Sequence, residues 1–348
     1  MSTANLDSAD LKGVAYGGLI REDVMNKIWD ISKIPLPFTD MVGTMTSKNA
    51  RKEWTRDELA AVDTTNAVVD GSDASGNDTV TGDRVSNHHQ ISDKVVRVSY
   101  RADASATIGR AKELSYQLMR RQQELRRDVE AIALKNQASV ADDGGSTAGK
   151  SGGLPAWIET SVALPASGSP AVGGFNTSTG VVDAYTTGVK QTLTEDDIRD
   201  VVEAVYDEGG DPSILMSRPK IIRLISEYLF TSSARVGTIM SDQGKSAEKA
   251  TALGAVNVFV TDFGTLKLVA NRLQQDEADD AAAAVAHVFL LDPAYLSLSY
   301  LKGYRTDPLG KTGLSEMRQM CVDWTLVVQT EKAHGCIFDV DVAAAMTA

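Results

Sequence analysis

One stretch constrains the fold more than any other. From Gly109 to Ser139 the chain reads GRAKELSYQLMRRQQELRRDVEAIALKNQAS, with no proline and no glycine after the first residue. Its residues are mostly strong helix formers. Ala111, Leu114, Leu118, Leu125, Val129 and Ile132 recur at steps of three, four and seven, which makes one apolar stripe on a helix. A helix of ~30 residues would run roughly 45 Å, long for a single domain. The opposite face carries Arg110, Arg120, Arg121, Arg126 and Arg127 among Glu113, Glu124, Asp128 and Glu130. Arg120–Glu124 and Arg126–Glu130 have the four-residue spacing of surface ion pairs. The spacing predicts a spine on which the rest of the chain packs.

The 348-residue chain has room for a large core and two subdomains. Its net charge of −12 argues against a nucleic-acid binder acting through bulk charge. Residues 108–138 run the other way, with seven Lys/Arg against four Asp/Glu. Cys321 and Cys336 are too few for a disulfide framework and fit packing positions in a reducing compartment. The start, MSTANLDSAD, lacks the basic and apolar regions of a signal peptide, and no apolar run approaches the ~20 residues of a bilayer span, so a soluble protein with no membrane partner is expected.

Residues 1–43 read as an arm: an amphipathic helix over Arg21–Ile34, then an extended strap at Pro35-Leu36-Pro37-Phe38. An ordinary N-terminal helix on the domain is the alternative. Residues 44–88 read as a long hairpin. Its tip is the run of turn formers from Asp70 to Asp78, flanked by β-prone Ala67–Val69 and Thr79–Thr81. Asp70, Asp73, Asp78 and Asp83 miss the spacing of a calcium loop, and no glutamate closes it. A hairpin with so little core of its own makes sense if it lies on a neighbouring subunit. Ile91–Tyr100 reads as a strand leading into the long helix; adjacent His88 and His89 point opposite ways on a strand, a poor start for a metal site.

Gly144–Ser151 matches the phosphate-loop pattern G-x-x-x-x-G-K-[ST] letter for letter. That chemistry needs a strand before the loop and a helix after it, so that amides and a helix N-terminus face the phosphates. Here a helix C-terminus precedes it and Gly152-Gly153-Leu154-Pro155 follows, so nucleotide hydrolysis is the weak alternative and a glycine-rich linker the expectation. Ser161–Gly188 reads as a loop or an irregular hairpin. Beyond it, Thr194 is expected to cap a helix through Glu208 stopped by Gly209-Gly210, Ser213–Met216 to form a buried strand, and Ser217 to cap a helix reaching about Phe230. Val256–Val260, Leu266–Ala270 and Val285–Leu291 read as strands, and Gln274–Ala284 as a solvated acidic loop. Alternation at Met320, Val322, Trp324, Leu326 and Val328 predicts a half-buried strand, and Cys336–Val340 a return strand after a turn. The class is α+β.

These residues carry a resemblance. Glu124–Ala131, Asn136–Ser139 and Gly153–Ile158, with Arg21-Glu22-Asp23, Pro37-Phe38, Glu53–Asp57, Leu193-Thr194-Glu195, Thr261–Gly264 and Leu309–Gly313 in the same order, resemble tailed-bacteriophage major capsid proteins of the Hong Kong 97-type fold. The resemblance covers nearly the whole chain. It implies an extended loop at 44–88, a peripheral domain at 89–160 with the spine helix, an axial domain at 161–300, and return strands of the peripheral domain with the C-terminus at 301–348. It also implies a non-enzymatic subunit of an icosahedral head shell, assembled in the host cytoplasm from hexamers and pentamers around double-stranded DNA, with a portal as partner, scaffolding or cement either separate proteins or absent, and no cofactor. On that reading Arg110, Arg120, Arg121, Arg126 and Arg127 are candidates to face DNA; a solvated helix face is the alternative. Trp54, Asp70, Asp73 and Asp78 are the candidate intersubunit loop residues. A nanocompartment shell on the same fold is the alternative function.

Overall fold

The computed structural model describes residue 32 and residues 35–73, 81–105, 107–231, 257–274, 285–311 and 313–347. The expected arm helix, Asp78 and most of the acidic loop lie outside them. In chain order the elements begin with α1 (Pro37–Met41), β1 (Gly43–Thr46), β2 (Arg51–Arg56), β3 (Asp83–His88) and β4 (Gln90–Ser99). Then come α2 (Tyr100–Ala104), the spine helix α3 (Glu113–Ala133) and the short α4 (Leu154–Trp157). Three short strands follow, β5 (Ser161–Ala163), β6 (Gly174–Asn176) and β7 (Val181–Asp183), then α5 (Glu195–Asp207), β8 (Ile214–Ser217) and α6 (Pro219–Thr231). The last part is mostly strand: β9 (Val258–Val260), β10 (Thr265–Ala270), β11 (Val285–Leu291), β12 (Leu296–Pro308), β13 (Ser315–Val328) and β14 (Gly335–Asp341).

Two sheets organise the chain. The first has order β1-β12-β13-β4, with β1 parallel to β12 and the other pairs antiparallel. The second has order β5-β14-β11-β8-β10-β9. The spine helix lays Leu125, Val129 and Ala133 into a core shared with Val322, Trp324 and Leu326 of β13. The six-stranded sheet is a wall between two cores. Phe289 and Leu291 of β11 face the spine-helix core, while Val288 and Leu290 face a second core built on α5 and α6. That explains why β11, apart from buried His287, is an apolar run rather than an alternating strand. Thr325 and Val327 are buried as well, so the end of β13 is enclosed on both faces instead of half-buried.

The spine is shorter than its apolar stripe. Gly109 has φ +70° and Thr107 and Arg110 bridge, so the chain is still turning there. The Leu114 amide is taken by the Asp103 carboxylate of α2 (3.1 Å), which marks the helix start, and Ala111 is exposed. At the other end Asn136 pairs with both backbone groups of Tyr185, and Gln137 donates to the Ser151 carbonyl. Gly153 lies so close to the Lys135 carbonyl that a Cβ there would sit 1.9 Å from its oxygen.

Several expectations are corrected. Glu130 is not on the solvent face: it is fully buried and accepts from the Phe38 and Thr39 amides, the Thr39 hydroxyl and Asn271 Nδ2 at 2.7–3.0 Å. Glu124 pairs with Arg121, one residue along from the expected Arg120. Pro37 opens a helix rather than a strap, which its fixed φ suits. Ala67–Val69 form no strand, and Thr44–Thr46 join the four-stranded sheet rather than the hairpin. Ser217 ends β8 and donates to the His287 carbonyl instead of capping α6. Gln274 is buried, donating to that same carbonyl. β14 does not return beside β13 but crosses to the other sheet, between β5 and β11. The Thr194 cap and the stop at Gly209 (φ +91°) are as expected, and Asp197 closes the cap into a reciprocal box.

Candidate functional site

The candidate site is the extended loop and the surface from which it leaves. Its base is a ladder of β2 with β3, Arg51–Arg56 against Asp83–His88. This base is fixed in the subunit's own body. Trp54 packs 5.4 Å from the Trp157 ring and donates from Nε1 to the Gln329 carbonyl (3.2 Å), which makes it an anchor of the root rather than part of the reaching loop. Val85 and Asn87 are buried, and Asn87 Nδ2 donates to the Leu326 carbonyl (2.8 Å). Past Arg56 the character changes. Leu59, Val62, Val68 and Val69 are 98%, 91%, 83% and 80% exposed, and Asp70 and Asp73 are exposed too. From Leu59 to Asp73 the hydrogen bonds among the described residues are local, Thr65 to Asp63 and Ser72 to Val69.

Between root and loop stands Lys332. Its Nζ is 2.9 Å from Glu58 and 2.8 Å from Glu208, and the bonds to Glu208 and Glu58 raise its pKa above the usual lysine range. Sequence reasoning missed it, because 274 residues separate Lys332 from Glu58 and no local pattern joins them. Nearby, burial and then the Glu331 carboxylate hold the Glu159 carboxyl above its ordinary pKa.

The spine arginines do not share one bare face. Arg110 spans both Glu113 oxygens (2.7 and 2.8 Å) and lies over the Tyr116 ring, and Arg121 is paired with Glu124. Arg120 donates to the Tyr116 hydroxyl. Arg126 is exposed and sits 5.4 Å from the Tyr304 ring centroid, while Arg127 buries its Nε without a hydrogen-bond partner among the described residues.

Two arrangements resemble catalytic sites. In the Gly144–Ser151 loop, the Asp143 carboxylate accepts the amides of Gly145, Ser146 and Thr147 at 2.8–2.9 Å, bonds that hold its pKa well below the carboxylate range. The amides that would cradle a phosphate therefore already hold an acid. Ser151 is buried against Asn87 and the Leu326 amide. His89 bridges Asp323 and Ser47 at 2.9 Å each, the order of a nucleophile triad. But Ser47 is buried against Ser299 (2.6 Å) and lines neither cleft beside it, so the chain ties β1 and β4 to β12 and β13. Burial lowers the His89 pKa. No group of three metal-ligating side chains occurs among the described residues, and none of their helices is long and apolar enough to cross a membrane.

Comparison with known proteins agrees with this picture. The chain aligns with the capsid of a native GTA particle at TM-score 0.59 and 14% identity, covering 97% of this chain and 100% of that one. It aligns with the SrpI encapsulin of Synechococcus elongatus PCC 7942 at TM-score 0.56 and 11% identity over 98% of both chains. A third likeness is to Mycobacterium phage Che8, at TM-score 0.52 and 12% identity over 93% and 98%. These establish the Hong Kong 97-type fold. In sequence, 113 residues are 41% identical to the major capsid protein of Escherichia phage Phieco32, a match spanning 32% of that relative and 32% of this chain. The family model for the SU10 major capsid protein matches residues 3–341. The chain belongs to the SU10 major capsid protein family and is a subunit of a phage capsid shell.

Proposed function

We propose that copies of this chain associate as hexamers and pentamers into a closed icosahedral head that encloses double-stranded DNA, with the extended loop lying across the next subunit. The supporting observation is the pair Leu59 and Val62: aliphatic side chains held almost wholly in solvent just beyond a rigid ladder. Burying them against a neighbour returns roughly 1.5–3 kcal/mol for each fully covered side chain. Repeated at every copy, modest contacts close a shell. In this arrangement residues 89–160 and the β12–β13 hairpin form the peripheral part, and residues 161–295 with β14 the axial part. Arg126 and its neighbours on the spine face the packaged DNA, attracting phosphates without sequence preference. A portal and separate scaffolding or cement proteins complete the head. The subunit acts by assembly and not by turnover.

The likeness to an encapsulin favours nothing beyond the fold, whereas the family match favours a phage head. Deleting Asp70–Asp78 and rejoining the ends with a short Gly-Ser turn tests the bridging role. Loop-closure terms change slowly with length, so the subunit is expected to keep its circular dichroism and melting. Sedimentation velocity and electron microscopy are expected to show few closed particles. Normal shells from the deletion would refute the bridging role.

A further inference from the structure

We propose that Lys332 is the positioning residue of the extended loop: it ties Glu58, on the segment that leaves β2, to Glu208 at the end of α5, and so sets the direction in which the loop leaves the subunit. The proposal rests on the reading that the loop engages a neighbour.

The argument starts from where the loop loses its support. Arg56 is the last ladder residue of β2, and Asp57, Glu58 and Leu59 continue without a strand partner among the described residues. Two clefts, of about 510 Å³ and about 280 Å³, flank this root, and Lys332 lines both. Its ammonium therefore spans from the body to the root across a gap that packing does not fill.

The body end of this strut is rigid. Lys332 sits in a 3-10 turn between buried Glu331 and buried Ala333. Glu331 is held by the Thr160 amide and hydroxyl (3.3 and 2.7 Å). A Cβ on Gly210 would come within 2.9 Å of the Ala333 Cα, so the end of α5 and the turn are in close contact. Glu208 caps the C-terminal end of α5, where the helix carbonyls favour a cation. The loop end is the opposite: the Glu58 side chain is 56% exposed.

An exposed ion pair contributes little to stability, because water screens it and both side chains lose freedom. What this pair does supply is a fixed point on a lever. An extended chain covers at most ~3.3–3.6 Å per residue, so a loop reaching only ~20 Å moves its tip by several Å for each ten degrees at the root. Contacts between shell subunits do not tolerate such a displacement.

The test compares wild type, Lys332→Glu, the charge swap Glu58→Lys with Lys332→Glu, and the Asp70–Asp78 deletion, by sedimentation velocity, electron microscopy and thermal melting. Lys332→Glu sets three acids together and is expected to cut closed particles about tenfold, through the loss repeated at each copy, while subunit melting moves little. The swap returns a cation to the cluster, now on the loop side and facing two acids, and is expected to recover particles. A merely structural role for Lys332 would show in melting and would not be rescued. Glu58→Gln, which touches only the exposed end, serves if Lys332→Glu fails to fold; it is expected to lower particle yield in the same direction. If the deletion abolishes shells but Lys332→Glu and Glu58→Gln assemble as wild type, the positioning role is wrong and the bridging role stands. A swap that fails to rescue also overturns it. If the deletion assembles normally, the bridging role falls and this proposal with it.

Discussion

The spine helix and the extended loop both carry aliphatic side chains, and the subunit treats them in opposite ways. Leu125 and Val129 are 1% and 0% exposed, between a sheet and the loops after the helix. Leu59 and Val62 are almost fully in solvent. Apolar character alone does not decide burial; what decides it is whether the same chain brings a second surface. The spine has one because β13 and β4 run beneath it. Past Glu58, which Lys332 ties to the body, the described loop residues have none; on the proposed bridging role a neighbouring copy would supply it. The comparison also locates the division: the root, with Trp54, Val85 and Asn87 buried or half-buried, belongs with the spine, and only the part beyond Arg56 belongs with the loop.

The largest expected effect tests the spine side. Leu125→Asp would bury an unpaired carboxylate, costing several kcal/mol of a domain's ~5–15. Insoluble or unfolded protein is expected. A soluble variant with unchanged melting would mean that the helix does not pack by this face.

Next comes Glu130→Ala, on the same helix but through polar contacts. It strands the Phe38 and Thr39 amides and Asn271 at ~1–3 kcal/mol for each buried donor left without water. Melting is expected to drop markedly, and amide exchange over residues 37–42 to quicken before the rest of the chain. Uniform exchange across all elements would argue against Glu130 as the specific tie between α1 and the spine.

pH gives a third, smaller handle, on the turn that carries Lys332. Burial pushes the His334 pKa down to about 4 from its ordinary 6.5. Between those values the unfolded chain takes up a proton that the folded chain refuses. Stability is therefore complete above about 6.5 and lost as pH falls toward 4, by on the order of a few kcal/mol. His334→Asn keeps an acceptor for the Asp292 amide and is expected to flatten that acid limb in melts across pH 4–7. An unchanged limb would place the proton uptake elsewhere.

The smallest expected change in folding comes from the loop side. Replacing Leu59 and Val62 together by Ser is expected to leave subunit melting within ~0.5 kcal/mol, as for surface positions generally. Particle yield is the readout that should fall. A large loss of stability would show that the loop folds back onto its own subunit, and the contrast with the spine would collapse.

Much of this was legible from local pattern. The steps of three and four in α3, the Thr194 cap, the stop at Gly209 and the even-numbered face of β13 are each encoded within a few residues, where helix and strand geometry acts. One local signal went unread: Leu296, Leu298 and Tyr300 alternate at the start of β12, the strand on which both β1 and β13 pair. The misreadings have another source. Glu130 looked like one more surface charge, since its spacing from Arg126 suits an ion pair. It is buried because Phe38, Thr39 and Asn271, 91 to 141 residues away, converge on it with donors.

The sequence by itself determined where the spine helix, α5, α6, β8, β11 and β13 form, which of their faces are apolar, and, through its resemblance to phage head proteins, what kind of assembly to expect. Only the tertiary structure decided that β14 crosses to the second sheet, that Asp143 fills the amides of a phosphate-loop pattern, that Trp54 belongs to the root, and that Lys332 reaches Glu58. The reason is range. Backbone periodicity and capping act over one or two turns of chain. A buried charge or a sheet neighbour is chosen by whichever distant group arrives with a complementary surface, and that is fixed only when the whole chain has packed.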